Sequence, residues 1–245
     1  MGTTINITMT TLYVNGDSHT AGTYNSPTGE RRDAAPDTSF SALLAKKYGL
    51  THINQALMGG SAARVIRTSK KALENMDPAD TVVLIGWTSF ERVEWQVDGI
   101  WHQICGQPWY EVTDELKDRW LAWTTAALDP NSTRYDELAM GIQSDIMEFH
   151  IWLTQNGFQH RFFHAFGCFP NNSTAFTRLD WPAGLWIRES ANDLQWAFTD
   201  TSIAKGHQHD EHFHFGDAAH ADYVEVIEPG IREMLIALGH NDLPV

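Results

Sequence analysis

The sequence predicts an α/β fold of three layers, in which a mostly parallel sheet of about five strands lies between two layers of helices. Short apolar runs alternate with amphipathic helical segments along the chain, which is the pattern of strand–helix–strand crossovers. The clearest run, Thr81–Ile85, is apolar at four consecutive positions. A parallel strand that is covered by helices on both faces has this composition.

Four segments are predicted as strands because they are short, rich in apolar residues and bounded by turn residues. In chain order they are Leu12–Val14, His52–Asn54, Thr81–Ile85 and Arg161–Phe166. The first ends just before Gly16 and the third just before Gly86. In an open parallel sheet such strand ends lie along one edge, where these folds bind their ligands.

The helices are predicted from apolar residues spaced by three or four positions and from capping residues. Ser39 or Asp37 can cap the first and Ser61 the second, while Gly49 and Gly157 suit helix ends. The segments are Ser39–Tyr48, Ser61–Asn75, Tyr135–Asn156 and a last helix from about Asp217, which Pro229 is expected to kink or break.

A single domain is predicted over residues 1–245, because no linker, internal repeat or low-complexity segment interrupts the chain. The Trp-rich stretch at about 88–131 is interpreted as an insertion into that domain. The polar stretch from Ser18 to Asp37 is rich in Gly and Pro and is predicted as a loop.

The charge of the chain excludes several classes of partner. Lys and Arg number 17 against 31 Asp and Glu, which gives a formal net charge of -14. This charge opposes binding to nucleic acid and to anionic membrane surfaces, so neutral or cationic small substrates fit better. Residues 1–11 lack the features of a classical signal peptide and no apolar run could span a membrane, so we expect a soluble, cytoplasmic protein. Cys105 and Cys168 are expected to be reduced thiols.

Four polar segments carry the candidate chemistry. Gly16-Asp17-Ser18 follows the first strand directly and presents a serine, either as a nucleophile or simply as part of a capped turn. The other segments follow the second strand, follow the third strand, and precede the last helix. They are Asn54–Gly59, Gly86–Ser89 and Asp210–His220.

Together these segments resemble the four blocks of the SGNH, or GDSL-type, hydrolase family, in the family's order from residue 12 to about 227. The resemblance implies a flavodoxin-like strand order and a serine esterase that needs no cofactor or metal and works through an acyl-enzyme. It assigns Ser18 as the nucleophile and His214 as the general base. Ser18, Gly59 and Thr88 match the oxyanion hole, although the family has Asn at the position of Thr88.

The acid of the triad is left between two residues. Glu211 stands three residues before His214, which is the family spacing, but the family usually has Asp there, and Asp210 is adjacent. The chemistry needs one of them, because a serine hydroxyl requires a base within hydrogen-bond reach and a carboxylate fixes the tautomer of that base.

The substrate is expected to be a small-molecule or carbohydrate ester, with a short acyl or sugar O-acetyl group. Trp87, next to Thr88, is predicted to offer it a flat apolar face, whereas most other Trp residues are predicted to pack in the core. Arg92 is expected to form an exposed salt bridge, or else to orient the loop after the third strand or contact a polar substrate. Asp17 is expected to hold its turn rather than transfer protons.

Two alternatives come from other functional classes. A noncatalytic ligand- or carbohydrate-binding protein could keep the same fold, and the Thr at the Asn position favours this reading. A metal-dependent hydrolase could use the His-rich run from His207 to His220, because imidazole and carboxylate suit zinc or iron. The run contains no HExxH-type helix motif, so no metal is predicted.

Overall fold

The computed structural model describes residues 9–25, 31–106, 112–129, 132–166, 181–187 and 197–244. In chain order the elements are β1 (Thr11–Asn15), α1 (Ser18–Ala21), β2 (Tyr24–Asn25), β3 (Arg31–Arg32), α2 (Phe40–Tyr48), β4 (Thr51–Asn54), α3 (Ala62–Leu73), a 3₁₀ turn (Pro78–Asp80), β5 (Thr81–Trp87), β6 (Arg92–Val97), β7 (Ile100–Cys105), α4 (Asp114–Ala127), α5 (Thr133–Gln155), β8 (Gln159–His164), α6 (Phe198–Ala204) and α7 (Asp217–Ala237).

The central sheet has four parallel strands in the order β4-β1-β5-β8. Beside β8, the segment around Trp186 adds to the sheet through a parallel bridge between Phe162 and Trp186. Around it the Phe162 N–H donates to Leu185 O at 2.9 Å, and the Ile187 N–H donates to Phe162 O at 2.8 Å. The predicted fold class is therefore confirmed, and the order agrees with a flavodoxin-like sheet.

Helices cover both faces of this sheet because alternate strand residues point to opposite sides. Tyr13, Val83 and Ile85 pack with residues of α3 and α5 on one face. Leu12 and Leu84 pack on the other, with residues of α2, α6 and α7. All seven residues of β5 are buried, as a central parallel strand requires.

The predicted caps of α2 and α3 are confirmed. Ser39 Oγ accepts a hydrogen bond from the Ala42 N–H, and Ser61 Oγ accepts one from the Arg64 N–H. Gly49 ends α2 with a φ of 66°. The last helix is not broken at Pro229, because α7 continues to Ala237. A proline removes one backbone donor, and the buried residues on either side, Ile227 and Ile231, keep that helix against the sheet.

One loop prediction and one strand boundary need correction. The stretch from Ser18 to Asp37 includes the short helix α1 and an antiparallel pair of two-residue strands, β2 and β3. The fourth sheet strand ends at His164 rather than Phe166.

The segment that was interpreted as an insertion includes the antiparallel hairpin β6–β7 and the helix α4. Its bounds and the single domain stay predictions. Cys105 is a free, buried thiol, whereas Cys168 lies outside the described residues. Within the described ranges, no helix is both long and apolar enough to cross a membrane.

Candidate active site

Ser18 lies in a tight turn between the carboxyl end of β1 and the first turn of α1. Asp17 is the N-cap of α1, and its Oδ1 accepts a hydrogen bond from the His19 N–H at 3.0 Å. Ser18 is buried, and its Oγ has no hydrogen-bond partner among the described residues. The hydroxyl is thus held at a strand end with its donor and acceptor capacity unused.

Two glycines allow this turn to lie against the end of β5. A Cβ on Gly16 would stand 2.3 Å from Thr20 Oγ1 and 2.8 Å from the carbonyl oxygen of Gly86. A Cβ on Gly86 would also stand 2.3 Å from Thr20 Oγ1. All three distances are far below van der Waals contact, so glycine is required at both Gly16 and Gly86. The glycine that precedes Asp17 and Ser18 is therefore required by packing.

His214 is paired with Asp210, four residues earlier. Its Nδ1 lies 3.1 Å from Asp210 Oδ2, and both side chains are buried. The other carboxylate oxygen, Oδ1, accepts the backbone N–H groups of His212 at 2.8 Å and of His214 at 2.9 Å. The carboxylate therefore holds both the imidazole and the backbone that carries it.

Electrostatics in this pair keep the carboxylate charged and the imidazole neutral. Burial alone would raise the pKa of Asp210, but hydrogen bonds from the backbone of His214 and His212 and the contact with the His214 ring bring that pKa below its usual value. Burial lowers the pKa of His214, against the opposing effect of Asp210. A neutral imidazole beside an ionised carboxylate is the state that a general base needs.

The structure distinguishes the two candidate acids. Glu211 has a side chain that is 84% exposed, and its Oε1 lies 3.5 Å from His212 Nε2 instead of contacting His214. The carboxylate that contacts His214 therefore stands four residues before it, not the three that the predicted pattern has. The additional residue is accommodated by a turn in which the Phe213 N–H donates to Asp210 O and the Asp210 N–H donates to His214 O.

His19 joins the two halves of the candidate site. Its ring centroid lies 5.4 Å from that of His214, and it stacks on Phe166 at 5.5 Å. Because Ser18 precedes His19 directly, the turn and the His214 loop lie side by side, although no hydrogen bond joins Ser18 Oγ to His214 in the described structure. Burial lowers the pKa of His19 to about 4, so this ring is neutral near pH 7. Sequence reasoning missed His19, and its position after the serine was the available signal.

Of the predicted oxyanion-hole residues, Gly59 lies on a loop that contacts the serine turn, and Thr88 directly follows β5, whose Gly86 lies against that turn. The Leu57 N–H donates to Gly16 O at 3.2 Å, which fixes the loop that carries Gly59. Gly59 has a φ of 74°, and no backbone hydrogen bond from its N–H is found within the described ranges. The Asn54 side chain donates to Thr20 O at 3.1 Å, so it supports this loop. Thr88 is buried, and its Oγ1 has no partner in the described part of the chain.

Arg92 forms a buried ion pair with Asp17 rather than an exposed one. Arg92 Nη1 lies 3.0 Å from Asp17 Oδ2, and the two side chains are 12% and 0% exposed. Arg92 and Glu94 both belong to the hairpin β6–β7. This hairpin is attached to α3 through Arg67, whose guanidinium donates to both carboxylate oxygens of Glu94, at 2.9 and 2.7 Å. The hairpin β6–β7 thus brings a cation to the residue next to Ser18.

Trp87 is a core residue and not a wall of the site. It has no exposed surface, and its indole makes edge contacts with Phe149 and Phe162, at centroid distances of 6.2 and 5.1 Å. The cause is its position as the last residue of β5, whose whole length lies under helices. Trp87 consequently presents no face to a substrate.

The histidines of the His-rich run make separate contacts. His207 Nε2 lies 3.0 Å from Asp222 Oδ2, and His209 Nδ1 lies 2.7 Å from Asp210 O. His220 is buried, with its ring 4.7 Å from that of Phe198. Across the described residues, no three His, Cys, Asp or Glu side chains are grouped so that they could hold a metal ion.

Comparisons with solved structures agree with this fold. The chain is similar to the psychrotrophic esterase EstA from Pseudoalteromonas sp., solved with monoethylphosphonate as inhibitor, with a TM-score of 0.50 and 13% identity over 93% of this chain and 99% of that chain. It is also similar to TesA, with a TM-score of 0.51 and 16% identity over 92% of this chain and 99% of that one. At such identities the likeness shows the fold alone.

Sequence comparisons give a family. No curated protein matches this chain. A family model described as "Family of unknown function (DUF6071)" matches residues 25–195, and the chain belongs to that family.

Proposed function

We propose that this protein is a serine esterase of the SGNH, or GDSL, type that hydrolyses carboxylic esters through an acyl-enzyme on Ser18. The observation that carries the proposal is the buried Asp210–His214 pair beside the turn that presents Ser18. Its carboxylate is ionised and its imidazole is neutral. The fold likeness to a protein described as an esterase supports it. The residue types and their order along the chain support it independently.

In the proposed reaction, His214 Nε2 takes the proton of Ser18 Oγ as that oxygen attacks the ester carbonyl carbon. Nδ1–H of His214 donates to Asp210 Oδ2, which fixes the tautomer and stabilises the imidazolium. When the tetrahedral intermediate collapses, the C–O bond to the alcohol breaks and His214 returns the proton to the leaving oxygen. A water molecule then attacks the acyl-enzyme by the same route and releases the carboxylic acid.

The negative charge of the tetrahedral intermediate needs preorganised donors. We assign the backbone N–H groups of Ser18 and Gly59 and the hydroxyl of Thr88 to this role. The assignment of Thr88 is supported by its Oγ1, which has no hydrogen-bond partner among the described residues. No existing hydrogen bond has to break before this hydroxyl can donate to the intermediate. One such donor contributes roughly 2.7–4 kcal/mol to the transition state in a characterised protease.

The proposed substrates are small neutral or cationic esters with a short acyl or sugar O-acetyl group. The burial of Ser18 and Thr88 among the described residues supports a short acyl group, because neither residue is open to solvent there. The net charge of -14 disfavours anionic esters through long-range repulsion.

A fluorophosphonate probe tests the serine mechanism directly. We expect one probe molecule per chain by intact mass and hydrolysis of p-nitrophenyl acetate, with both abolished in Ser18→Ala. Ser144→Ala is the matched control, because Ser144 lies exposed on α5 and bonds only its own helix. Labelling that persists in Ser18→Ala would assign the nucleophile elsewhere. Ligand binding without labelling would identify a noncatalytic binding protein, and hydrolysis that requires added metal would exclude the serine mechanism.

A further inference from the structure

Phe213 has a backbone conformation that a bulky residue rarely adopts. Its φ is 61°, and the only other non-glycine residue with a positive φ in the described ranges is Asp98. Asp98 precedes Gly99 in a hairpin turn, where Asp is a normal occupant. Phenylalanine has no such tolerance for the left-handed region, so its presence next to His214 is an outlier.

The turn explains the conformation but not the side chain. Two backbone hydrogen bonds, from Phe213 N–H to Asp210 O at 3.1 Å and from Asp210 N–H to His214 O at 3.0 Å, close the loop. Closing it with three residues between Asp210 and His214 places one of them, Phe213, in the left-handed region. Glycine would occupy that place without steric cost. A strained residue at a candidate site suggests that its side chain serves function.

The ring of Phe213 lies partly in solvent at the edge of the site. One contact is the stack on His209, with centroids 4.6 Å apart and planes 23° apart, and 44% of the residue is exposed. Leu57 and Met58, which lie directly before Gly59, are also exposed. Apolar side chains thus adjoin both the predicted base and the predicted oxyanion loop.

The chemistry of the proposed reaction orients a substrate against Phe213. His214 must deliver its proton to the leaving oxygen, so the alcohol part of the ester lies on the His214 side of Ser18. The acyl part points away from it.

We propose that Phe213 is a specificity-determining residue that packs against an apolar group of the alcohol, so that the enzyme prefers short-chain esters of apolar alcohols to acetylated sugars. This inference rests on the proposed esterase function, which it narrows. No additional reactant is needed, because the alcohol leaves with the proton that His214 took from Ser18.

The test compares two esters that differ in the alcohol but have leaving groups of similar basicity, 2-phenylethyl acetate and ethyl acetate. We expect the native enzyme to have the higher kcat/KM for 2-phenylethyl acetate. In Phe213→Gly this preference should fall about tenfold, the size expected for a lost apolar contact of about 1.4 kcal/mol. Turnover of ethyl acetate should change by less than about threefold, and the melting temperature should rise because glycine relieves the backbone.

Binding of the product 2-phenylethanol gives a second readout that needs no turnover. We expect the native protein to bind 2-phenylethanol about tenfold more tightly than Phe213→Gly does, because the variant loses the same apolar contact with the phenyl group. Phe213→Leu, which keeps both the strain and an apolar side chain, should retain most of the preference. Absence of labelling and hydrolysis in the native protein would refute the proposed esterase, while a Phe213-dependent affinity for 2-phenylethanol would still support the apolar site.

Three results would overturn the inference. An equal loss on both esters in Phe213→Gly would show that Phe213 only positions His214. An unchanged ratio together with unchanged 2-phenylethanol binding would show that the ring contacts no ligand. A preference for acetylated glucose that disappears in Phe213→Gly would assign the ring to a sugar instead.

Discussion

At the scale of single residues, the Asp210 carboxylate makes two kinds of contact, one with each of its oxygens. One oxygen orients the His214 ring and the other accepts two backbone N–H groups. An asparagine could keep the backbone hydrogen bonds but not the charge. We therefore expect Asp210→Asn to fold normally and to lose about 10²–10⁴-fold in kcat, as carboxylate-to-amide changes do in characterised serine enzymes.

Glu211→Gln is the matched control, because Glu211 is adjacent but exposed and its carboxylate lies near His212 and not His214. Its kcat should stay within about twofold of the native value, as is usual for surface substitutions.

The pH dependence of kcat/KM gives an independent measurement of the Asp210–His214 pair. Burial sets the pKa of His214 below 6.5, so the acid limb of kcat/KM should lie below that pH, and it should move lower still in Asp210→Asn because the carboxylate raises this pKa. Loss of activity in Glu211→Gln alone would contradict the assignment.

The Asp17–Arg92 pair makes a second residue-scale prediction. Removing Arg92 would leave Asp17, which has no exposed surface, as an unpaired buried carboxylate. We expect Arg92→Gln to lower the free energy of unfolding by about 3 kcal/mol, the usual cost of breaking such a pair from one side. It should also shift the acid limb of kcat/KM to higher pH, because the Arg92 charge lowers the pKa of His214 and Asp17 raises it.

Urea unfolding of a double-mutant cycle measures this coupling. Asp17→Asn retains a capping residue for α1, so the double variant should recover most of the lost stability. Lys205→Gln, which removes exposed ion pairs with Asp222 and Glu225, should cost less than about 1 kcal/mol. Costs that add without coupling in the double variant would mean that the two side chains do not depend on each other.

At the scale of elements, the contact between the serine turn and β5 depends on glycine. A Cβ on Gly16 would overlap Thr20 and the backbone of Gly86, and the backbone atom cannot move without shifting the strand. Gly16→Ala should therefore lower the free energy of unfolding by about 1–3 kcal/mol, as overpacking does. Gly141→Ala is the matched control, since Gly141 lies in the middle of α5 with open space around it. That change should raise stability by about 0.5–1 kcal/mol in the same urea measurement. Equal effects at the two positions would contradict the packing argument.

The elements themselves were largely predictable because their signals are local. Ser39 and Ser61 cap their helices, and the alternation of strands and helices was sufficient to order the sheet, because few topologies satisfy right-handed crossovers. Placing Ser18 at a strand end followed from the same rule. The helix α1 was missed because four residues give too short a pattern to recognise.

The finer details of the site depend on contacts between distant parts of the chain, and the sequence does not show them. The contact of His214 with Asp210 and not with Glu211 accompanies the positive φ of Phe213, which a family spacing of three residues cannot indicate. Trp87 seemed available to a substrate because it adjoins Thr88, yet the helices over β5 enclose it. The partner of Arg92 lies 75 positions away, at Asp17. Propensity and spacing therefore locate a site, and tertiary packing decides which of its side chains are accessible.

At the scale of the whole molecule, buried neutral histidines couple stability to pH. Burial lowers the pKa of His19 and of His160 to about 4 and that of His220 to about 3. In the unfolded chain these rings titrate near 6.5. Between about pH 6.5 and pH 4 the unfolded state therefore binds more protons than the folded state, and stability rises with pH in this window.

We therefore expect the free energy of unfolding to fall steadily as the pH is lowered from 7 to 5. Each fully buried histidine contributes up to about 1.4 kcal/mol per pH unit below 6.5. Urea titrations at pH 7, 6 and 5 measure this slope. His160→Gln, at the end of the sheet away from Ser18, should flatten this slope, whereas His102→Gln on the less buried hairpin strand β7 should leave it unchanged.

The carboxylates of Asp210 and Asp217 have pKa values below their usual range and lose their stabilising effect only at lower pH. A slope that begins above pH 5 therefore belongs to the histidines. A free energy of unfolding that is flat from pH 7 to 5 would mean that these rings become protonated in the folded protein, with water or a carboxylate reaching them.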